Sequence, residues 1–392
     1  MSSGSRLKVG ILTTDNRFHF KEYDRPKPSF GTAVEALFSG FSHFHSELEI
    51  HVISATQEPL VSPARLAPNI HYHSLLVPKL GWLRTAYQGC IRAARTKVRE
   101  LNLDLVHGQG TERDCAMEAV FSGRPNLLTL HGNMRAVARA MGAPRLSYHW
   151  FQAWLESFAL RRTGAVFCNS SYTEEQVRPL NPRVISMPNP VREIFFSPPS
   201  PQVQNSQRPL QLLVVGLICS YKQPLEILRA LRQWRDQGAP PFYCRWIGAL
   251  SAEKEYVRSF IAEMEDAKTS GWADYATSVD EGELRDRMDA SDVLLHVPKE
   301  EAFGLVVAEA MLRGMKVVGA RAGGIPDFAR IYPGLVLVDP RDPNDWICAL
   351  AKSGGPNQSR IARESWNFMT YHPREVARRH LEHYLRLAKR RS

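Results

Sequence analysis

The chain has 392 residues, of which 44% are hydrophobic and 23% charged, with a formal net charge of +10. This length suits two globular domains of about 190 residues each. No apolar run approaches the roughly 20 residues of a membrane-spanning helix. The start of the chain lacks the apolar core of a signal peptide. The six cysteines form no C-x-x-C pair, which excludes a typical zinc or disulfide framework, so we expect a cytoplasmic protein.

The positive surplus has several interpretations. It can attract an anionic ligand, an acidic membrane surface or nucleic acid, or it can simply keep the protein soluble. Peripheral contact with the inner face of a membrane therefore stays open. The chain shows no nucleic-acid-binding motif, so nucleic acid is not an expected partner.

Apolar runs with the length of buried strands recur along the first half of the chain. They are Leu7–Thr13, Leu48–Ser54, Asn69–Leu76, Leu103–His107, Asn126–Leu130, Ala165–Cys168 and Val184–Met187. After the first run, a polar loop over 15–29 leads to Phe30-Gly31-Thr32, which opens a predicted helix. Strand, glycine turn and helix form an arrangement that offers the helix start to an anion, so Gly31 is a candidate binding residue.

Residues 80–101 carry apolar side chains at a regular spacing of three and four, which predicts one amphipathic helix. Its polar side carries five cations, Arg84, Arg92, Arg95, Lys97 and Arg99. This basic face could rest on anionic lipid headgroups or simply face water. Farther on, residues 134–162 are rich in arginine and aromatic side chains, which suit either a helical core or a surface that meets an acceptor or a membrane.

A polar, proline-bearing segment at 197–209 is the clear linker of the chain. We predict domains at 1–196 and 210–372, followed by a C-terminal helix at 373–392 that crosses back to the first domain. Further strand-like runs follow the linker at Leu210–Val215, Phe242–Ile247 and Tyr275–Val279.

Residues 293–327 have the rhythm of a parallel α/β unit. A strand at Val293–Val297 leads through a loop to a helix at about Gly304–Arg313, and Gly314 then reverses the chain with a positive φ. A second strand, Met315–Ala320, leads to the tight loop Gly323-Gly324. Such units bind ligands at the carboxyl ends of their strands, where both glycine-bearing loops lie.

Two carboxylates frame the predicted helix of this unit. Glu301 and Glu309 would be roughly 12 Å apart on one continuous helix. The paired carboxylates of glycoside hydrolases are about 5 to 9.5 Å apart, which makes a hydrolase a poor interpretation. The spacing suits a long ligand gripped at both ends, and the backbone N–H groups of Phe303, Gly304 and Leu305 between them favour phosphate. A nucleotide diphosphate sugar has this form.

The motif E-A-F-G-L-V-V-A-E-A-M-x-x-G from Glu301 to Gly314, with V-V-G-A-R-A-G-G-I-P-D after it, resembles the donor-site signature of family 4 retaining glycosyltransferases. The resemblance implies an α/β protein of the GT-B architecture, in which two facing Rossmann-like domains with parallel sheets enclose a cleft. It also implies transfer of a sugar from a nucleotide diphosphate donor, a UDP- or GDP-sugar, to a glycan, lipid-linked or small-molecule acceptor. No cofactor is implied, and without a D-x-D motif we expect no metal.

The resemblance also assigns roles to individual residues. Glu301 would bind sugar hydroxyls, Glu309 the ribose hydroxyls, and Lys222 the diphosphate. His131, directly before a glycine at a predicted strand end, would lie beside the donor sugar. Val279 falls in the stretch where the family holds the nucleobase through backbone groups.

One position departs from the family pattern. Leu217 follows Gly216 where these enzymes normally have an arginine on the donor diphosphate. Losing one charge-assisted contact would weaken phosphate binding by roughly 1.5 to 3 kcal/mol unless another cation replaces it. The candidate replacements are Lys299, Arg321 and Arg17. This departure keeps open the alternative of a catalytically impaired GT-B protein that binds a nucleotide sugar or partners without transfer.

Overall fold

The computed structural model describes residues 6–199, 208–353, 360–362 and 366–389. The chain divides into two compact units, residues 1–192 with 369–392 (unit 1) and residues 193–368 (unit 2). The division after residue 192 lies slightly before the predicted domain end at 196. Residues 200–207 of the predicted linker lie outside the described residues.

Unit 1 is built on an eight-stranded sheet with the spatial order β3-β4-β2-β1-β5-β6-β7-β8. Its strands are β1 Leu7–Leu12, β2 Leu48–Thr56, β3 Arg65–Ala67, β4 Ile70–Leu76, β5 Leu105–Gln109, β6 Asn126–Leu130, β7 Val166–Cys168 and β8 Val184–Ser186. All neighbours run parallel except β3 and β4, which pair antiparallel. The short edge strand β3 was not predicted, since it has no apolar run of its own.

Helices cover both faces of this sheet. They are α1 Asn16–Phe20, α2 Thr32–Ser42, α3 Gln88–Glu100, α4 Cys115–Phe121, α5 Met134–Ala140, α6 Tyr148–Leu160 and α7 Ser171–Val177. One buried cluster joins the sheet to α2, and a second joins it to α3, α4 and α6. The short α1, capped by the side chain of Asp15, lies where the sequence predicted only a loop.

The predicted helix over 80–101 forms only in its second part. Helix α3 begins at Gln88, after two 3₁₀ turns, and Ala86 and Tyr87 have left-handed backbones with φ of 49° and 63°. The chain folds back here because Gly81 and Gly89 touch. A Cβ built on Gly89 would lie 2.5 Å from the Cα of Gly81, so neither position has room for a side chain.

Unit 2 is built on a six-stranded parallel sheet with the order β11-β10-β9-β12-β13-β14. The strands are β9 Leu210–Val215, β10 Phe242–Ile247, β11 Ala273–Ala276, β12 Val293–His296, β13 Lys316–Ala320 and β14 Leu335–Val338. The helices are α8 Pro224–Asp236, α9 Lys254–Thr269, α10 Glu281–Ala290, α11 Leu305–Leu312, α12 Ile325–Ala329 and α13 Pro343–Lys352.

Arg313 ties the first residues of unit 2 to its helical layer. The guanidinium is fully buried, pairs with Asp289 at 2.7 Å, and donates to the backbone oxygens of Phe195 and Ser197. These bonds explain why the chain joins unit 2 from residue 193, before its first strand.

The last helix, α14 Pro373–Lys389, belongs to unit 1 and packs on α2. Its buried side chains Val376, Ala377, Leu381 and Tyr384 join the cluster that covers that face of the sheet. The Tyr384 hydroxyl lies 2.6 Å from Nδ1 of the buried His107 on β5. Gly40 on α2 has no room for a Cβ, which would lie 2.2 Å from the Pro373 carbonyl oxygen.

Within the described part of the chain, no helix combines the length and the apolar content that crossing a bilayer requires.

Candidate functional site

The order of strands changes direction between β9 and β12 in unit 2. In open parallel sheets, ligands bind outside the carboxyl ends of the two strands at such a switch point. The loop after β9 carries Lys222, and the loop after β12 carries Glu301. The fold therefore brings together two candidate residues that lie 79 positions apart.

The ammonium group of Lys222 donates to Oε2 of Glu301 at 2.7 Å. Nε2 of His296, the last residue of β12, lies 3.1 Å from the same oxygen. The side chains of Lys222 and Glu301 are only 18% and 15% exposed, so this charged pair is largely shielded from water.

These contacts set the charge state of the cluster. Burial opposes ionisation of Glu301, but Lys222 and His296 outweigh it and hold the pKa of this carboxyl well below its usual range. Burial likewise opposes the charge on Lys222, and Glu301 overcomes it and raises the pKa of the ammonium. Burial lowers the pKa of His296 despite its hydrogen bond to Glu301. At neutral pH the cluster therefore holds one carboxylate, one ammonium and a neutral imidazole.

The backbone of Glu301 is fixed by the second glycine-bearing loop. The Gly324 N–H donates to the Glu301 carbonyl oxygen at 2.9 Å. Gly323 has φ of 57°, and a Cβ there would lie 1.7 Å from the same oxygen. Glycine at 323 is therefore required for Glu301 to keep its position.

Gln223 fixes the other side of the site. Its backbone is left-handed, with φ of 63°, and caps the start of α8. Its side-chain amide donates to the carbonyl oxygens of Val297 at 2.6 Å and Pro340 at 2.8 Å. The loop that carries Lys222 is thus bonded to the loops that follow β12 and β14.

Helix α11 begins one residue later than predicted, at Leu305, with Gly304 as its N-cap at φ of 95°. Its end agrees with the prediction, since Gly314 has φ of 69°. Phe303 packs edge-on against Phe328, and its N–H lies 3.5 Å from Oε1 of Glu301. Glu309 is 3% exposed within the helix.

Val279, in the segment predicted to hold a nucleobase, lies in a loop. Strand β11 ends at Ala276, so the strand predicted over Tyr275–Val279 lies earlier in the chain. Val279 is half-buried in the loop before α10, whose start is capped by the Asp280 side chain at 2.8 Å from the Glu283 N–H.

In unit 1, His131 directly follows β6, as predicted, and its Nε2 donates to the side-chain oxygen of Gln109 at 2.8 Å. Burial lowers the pKa of His131 to about 4, although the side chain of Asn189 opposes the shift. Gly31 is the N-cap of α2 with φ of −64°, and a Cβ there would meet nothing within 4 Å. This position is therefore open, and its glycine is not required by the backbone.

Arg17 is not a replacement for the missing arginine. Its guanidinium is fully buried, pairs with Asp15 at 2.7 Å, and donates to Arg25, Val61 and Ser62. That candidate is wrong, because a guanidinium with these partners inside unit 1 is committed to the fold. Leu217 is 39% exposed. Lys299 and Arg321 are exposed in unit 2 and stay candidates.

Among the described residues, three potential metal ligands lie close together in unit 1. Their ligand atoms, on Cys90, Asp114 and Glu118, are buried and within 4.8 Å of one another. Burial raises the pKa of all three groups. This favours their protonated forms over the anions that bind a metal.

Sequence reasoning missed His296 and Gln223. His296 ends an apolar run, and a histidine at the carboxyl end of a predicted strand was the available signal, as it was for His131. No signal in the sequence pointed to Gln223. Its left-handed backbone and the hydrogen bonds of its side-chain amide to two other loops arise only in the folded chain.

Comparisons with known proteins agree with this geometry. The family model described as "Glycosyl transferases group 1" matches residues 199–353. The model described as "Glycosyltransferase Family 4" matches residues 43–193. The first match lies in unit 2, and the second lies almost entirely in unit 1.

Similar proteins are glycosyltransferases. A D-inositol 3-phosphate glycosyltransferase of Corynebacterium kroppenstedtii is 41% identical over 73 residues, which is 19% of this chain and only 16% of that protein. A glycosyltransferase structure from Rickettsia africae aligns with a TM-score of 0.67 at 13% identity, covering 98% of this chain and 99% of that one. Anabaena HepE in complex with UDP-glucose aligns with a TM-score of 0.64 at 16% identity, over 98% of each chain. These alignments confirm the predicted GT-B fold class.

Proposed function

The chain belongs to the group 1 glycosyltransferases of the GT-B fold, and on that premise we propose that it transfers a sugar from a nucleotide diphosphate to an acceptor hydroxyl with retention at the anomeric carbon. The observation that carries the proposal is the cluster of Lys222, Glu301 and His296 at the switch point of unit 2. It offers both kinds of group that a sugar diphosphate needs, a cation for phosphate and a carboxylate for hydroxyls.

Lys222 neutralises the diphosphate as it leaves. The departing group gains negative charge while the sugar becomes oxocarbenium-like, so a fixed ammonium and the N–H groups at Phe303 to Leu305 stabilise the transition state more than the substrate. Because these groups supply positive charge, we propose that transfer needs no metal ion or other cofactor.

Glu301 binds hydroxyls of the donor sugar and faces the positive ring. Its pKa, held low by Lys222, keeps it ionised throughout the neutral range. Glu309 binds the ribose hydroxyls, and the backbone near Val279 holds the base. His131, neutral at pH 7, contacts a sugar hydroxyl, and the turn at Gly31 approaches the donor phosphates or the acceptor. The acceptor attacks on the side of the leaving group, and a phosphate oxygen takes its proton.

We propose UDP as the first nucleotide to try and GDP as the second. HepE binds UDP-glucose, and the resemblance to family 4 allows either base. The inositol phosphate in the name of the Corynebacterium relative is one acceptor to include, and a lipid-linked or glycan acceptor is another.

Calorimetric titration with UDP, GDP and ADP tests the donor site. We expect saturable binding of one nucleotide, weakened roughly 10- to 100-fold by Glu309→Ala through the loss of charged hydrogen bonds. The matched control is Glu265→Ala, an exposed glutamate near the far end of α9. Binding of no nucleotide by the folded protein would contradict the proposal and favour the impaired alternative that Leu217 raises.

We also propose peripheral contact with an anionic membrane through unit 1. Helices α3, α4 and α6 lie side by side on one face of its sheet. They expose Arg92, Arg95 and Arg99 together with Trp154, which is 50% exposed. Flotation with phosphatidylglycerol vesicles tests this contact, and the triple arginine-to-alanine variant should float less. Equal flotation with neutral phosphatidylcholine vesicles would contradict it.

A further inference from the structure

The cluster of Lys222, Glu301 and His296 carries no net charge at neutral pH. Its ammonium group is already paired with a carboxylate at 2.7 Å, and burial, which lowers the pKa of His296, keeps the imidazole neutral. A diphosphate is a polyanion, and it gains further negative charge as it leaves the sugar. The cluster therefore balances only part of the charge of the proposed donor, and a second cation is needed beside it.

The position at which the family has an arginine cannot supply this cation, because it holds Leu217. The loop around Leu217 is nevertheless fixed by its backbone. The Ile218 N–H donates to the Ala249 carbonyl oxygen at 2.9 Å, and the Ser251 N–H donates to the Ile218 carbonyl oxygen at 3.3 Å. The departure from the family pattern thus removes a charge from this loop without removing the contacts that hold the loop in place.

Lys299 follows β12 and lies beside the loop that carries Lys222. Its backbone N–H donates to the Tyr221 carbonyl oxygen at 2.8 Å. The Val297 carbonyl oxygen accepts from the side-chain amide of Gln223 at 2.6 Å. These two bonds join both chain neighbours of Lys222 to the loop after β12. The side chain of Lys299 therefore begins next to the loop of the fixed ammonium group.

The two loops that follow the strands of the switch point, residues 216–223 and 297–304, contain two lysines and no arginine. Lys222 is mostly buried and paired with Glu301, whereas Lys299 is exposed. A lysine carries three N–H donors on a flexible four-carbon stem. The exposed ammonium group can therefore turn toward a phosphate that binds at these loops.

Arg321, the other exposed candidate, has its side chain on the far side of its own strand. It follows β13, which lies between β12 and the edge strand β14. Its backbone N–H donates to the Val338 carbonyl oxygen at 2.7 Å, and its guanidinium donates to the Leu337 carbonyl oxygen at 3.3 Å. Both acceptors belong to β14. These contacts hold the guanidinium on the side of β13 that is remote from Lys222.

We propose that Lys299 is the second cation for the donor diphosphate and supplies the charge that Leu217 does not. This proposal rests on the transfer function proposed above and adds a binding residue to it from a different loop. Lys222 is held by Glu301, and Lys299 closes on the diphosphate when the nucleotide binds.

Calorimetric titration with UDP, GDP and ADP tests this role. We expect the nucleotide that binds the wild type to bind Lys299→Met about tenfold more weakly, because methionine removes the charge but keeps an unbranched side chain. Lys299→Arg keeps the charge and should bind like the wild type. The matched control is Lys268→Met, an exposed lysine of α9 that pairs with Glu265, and it should also bind like the wild type.

Returning the arginine gives a second test. Leu217→Arg introduced into Lys299→Met should recover most of the lost affinity, because a cation then reaches the same diphosphate from the loop after β9. A merely structural role of Lys299 would not be repaired by a charge on another loop. A loss that Leu217→Arg leaves unrepaired would contradict the exchange of one cation for the other.

The results also separate this role from the transfer function. A folded wild type that binds none of the three nucleotides overturns the donor site, and the role of Lys299 with it. A wild type that binds a nucleotide no more tightly than Lys299→Met does overturns the role of Lys299 alone. A loss of affinity in Arg321→Met but not in Lys299→Met would overturn it as well, because the second cation would then be Arg321.

Discussion

The two units place an acidic residue after the strand that follows each switch point, yet the two acids behave differently. Glu301 in unit 2 lies 2.7 Å from an ammonium group, which holds its pKa far below the usual range. Burial raises the pKa of Glu112 in unit 1 to about 7, and the carboxylate of Glu156 adds to the shift while backbone N–H groups oppose it. The same topology thus presents one permanent anion and one group that titrates near neutrality. Burial opposes ionisation of both carboxyls, and the ammonium of Lys222 overcomes it only at Glu301.

Glycines support the two acids in different ways. In unit 2, Gly323 makes room for the backbone of Glu301. In unit 1, Gly110 and Gly132 make room for the carboxylate of Glu112. A substitution at 323 must move a loop, whereas a substitution at 132 need only move the end of a flexible side chain.

Removing the ammonium group of Lys222 should have the largest effect on the difference between Glu301 and Glu112. Lys222→Ala should lower turnover about 10²- to 10³-fold, because the leaving diphosphate loses its cation. It should also raise the pKa of Glu301 toward that of Glu112, because the ammonium that opposes the effect of burial is then gone. UDP release from a UDP-sugar measures the first effect. Lys268→Ala, at an exposed site on α9, is the control, and equal losses in the two variants would contradict the role of Lys222.

Gly323→Ala should destabilise the protein by about 2–4 kcal/mol, since the new Cβ meets backbone and the φ is positive. Urea unfolding measures the loss. Gly31→Ala is the matched control, because its Cβ meets nothing within 4 Å and its φ is negative. A change below about 0.5 kcal/mol at residue 323 would show that the loop adjusts at little cost.

Gly132→Ala tests the same difference at Glu112, the acid of unit 1. It should leave stability nearly unchanged but raise the pKa of Glu112 further, because the displaced carboxylate loses the hydrogen bond from the Gly132 N–H. An NMR titration of the Glu112 carboxyl, measured beside urea unfolding, tests both parts. A large loss of stability with an unchanged pKa of Glu112 would contradict the role given to the Gly132 N–H.

The raised pKa of Glu112 should also make the stability of the protein depend on pH. Because the folded-state pKa of Glu112 is raised to about 7, its favourable contribution is complete below the unfolded pKa near 4.3 and is lost as pH rises through 7. Glu112→Gln should therefore gain about 2–3 kcal/mol relative to the wild type between pH 5 and pH 8, because nearly two of the units that separate the two pKa values fall in this range. Unfolding curves at the two pH values measure this difference, and a parallel shift of both proteins would argue that the carboxyl titrates normally.

Much of the fold could be predicted because the strands of parallel sheets are buried on both faces and appear as apolar runs. The runs that became β1, β5 and β12 lie within a few residues of their predicted bounds. The turn at Ala86 and Tyr87 could not be predicted, because a contact between Gly81 and Gly89 imposes it against a good helical pattern.

The candidate site, like the fold, could be predicted from the sequence only in part. Lys222 and Glu301 stood out by their resemblance to a donor-site motif, but their ion pair depends on the order of strands in the sheet. Glu112 looked like an ordinary charged loop residue in the sequence. Its glycine surroundings come from the ends of two strands, β5 and β6, which no local pattern encodes.

The packing of α14 on α2 has a consequence for synthesis on the ribosome. Unit 1 contains both the beginning and the end of the chain, with unit 2 inserted between them. While residues 193–368 are being translated, the surface of α2 around Phe41 lacks Val376, Leu381 and Tyr384, which later bury it. A nascent chain would carry this apolar surface uncovered until residues 373–389 have emerged, so unit 1 can complete its packing only after unit 2 has been translated.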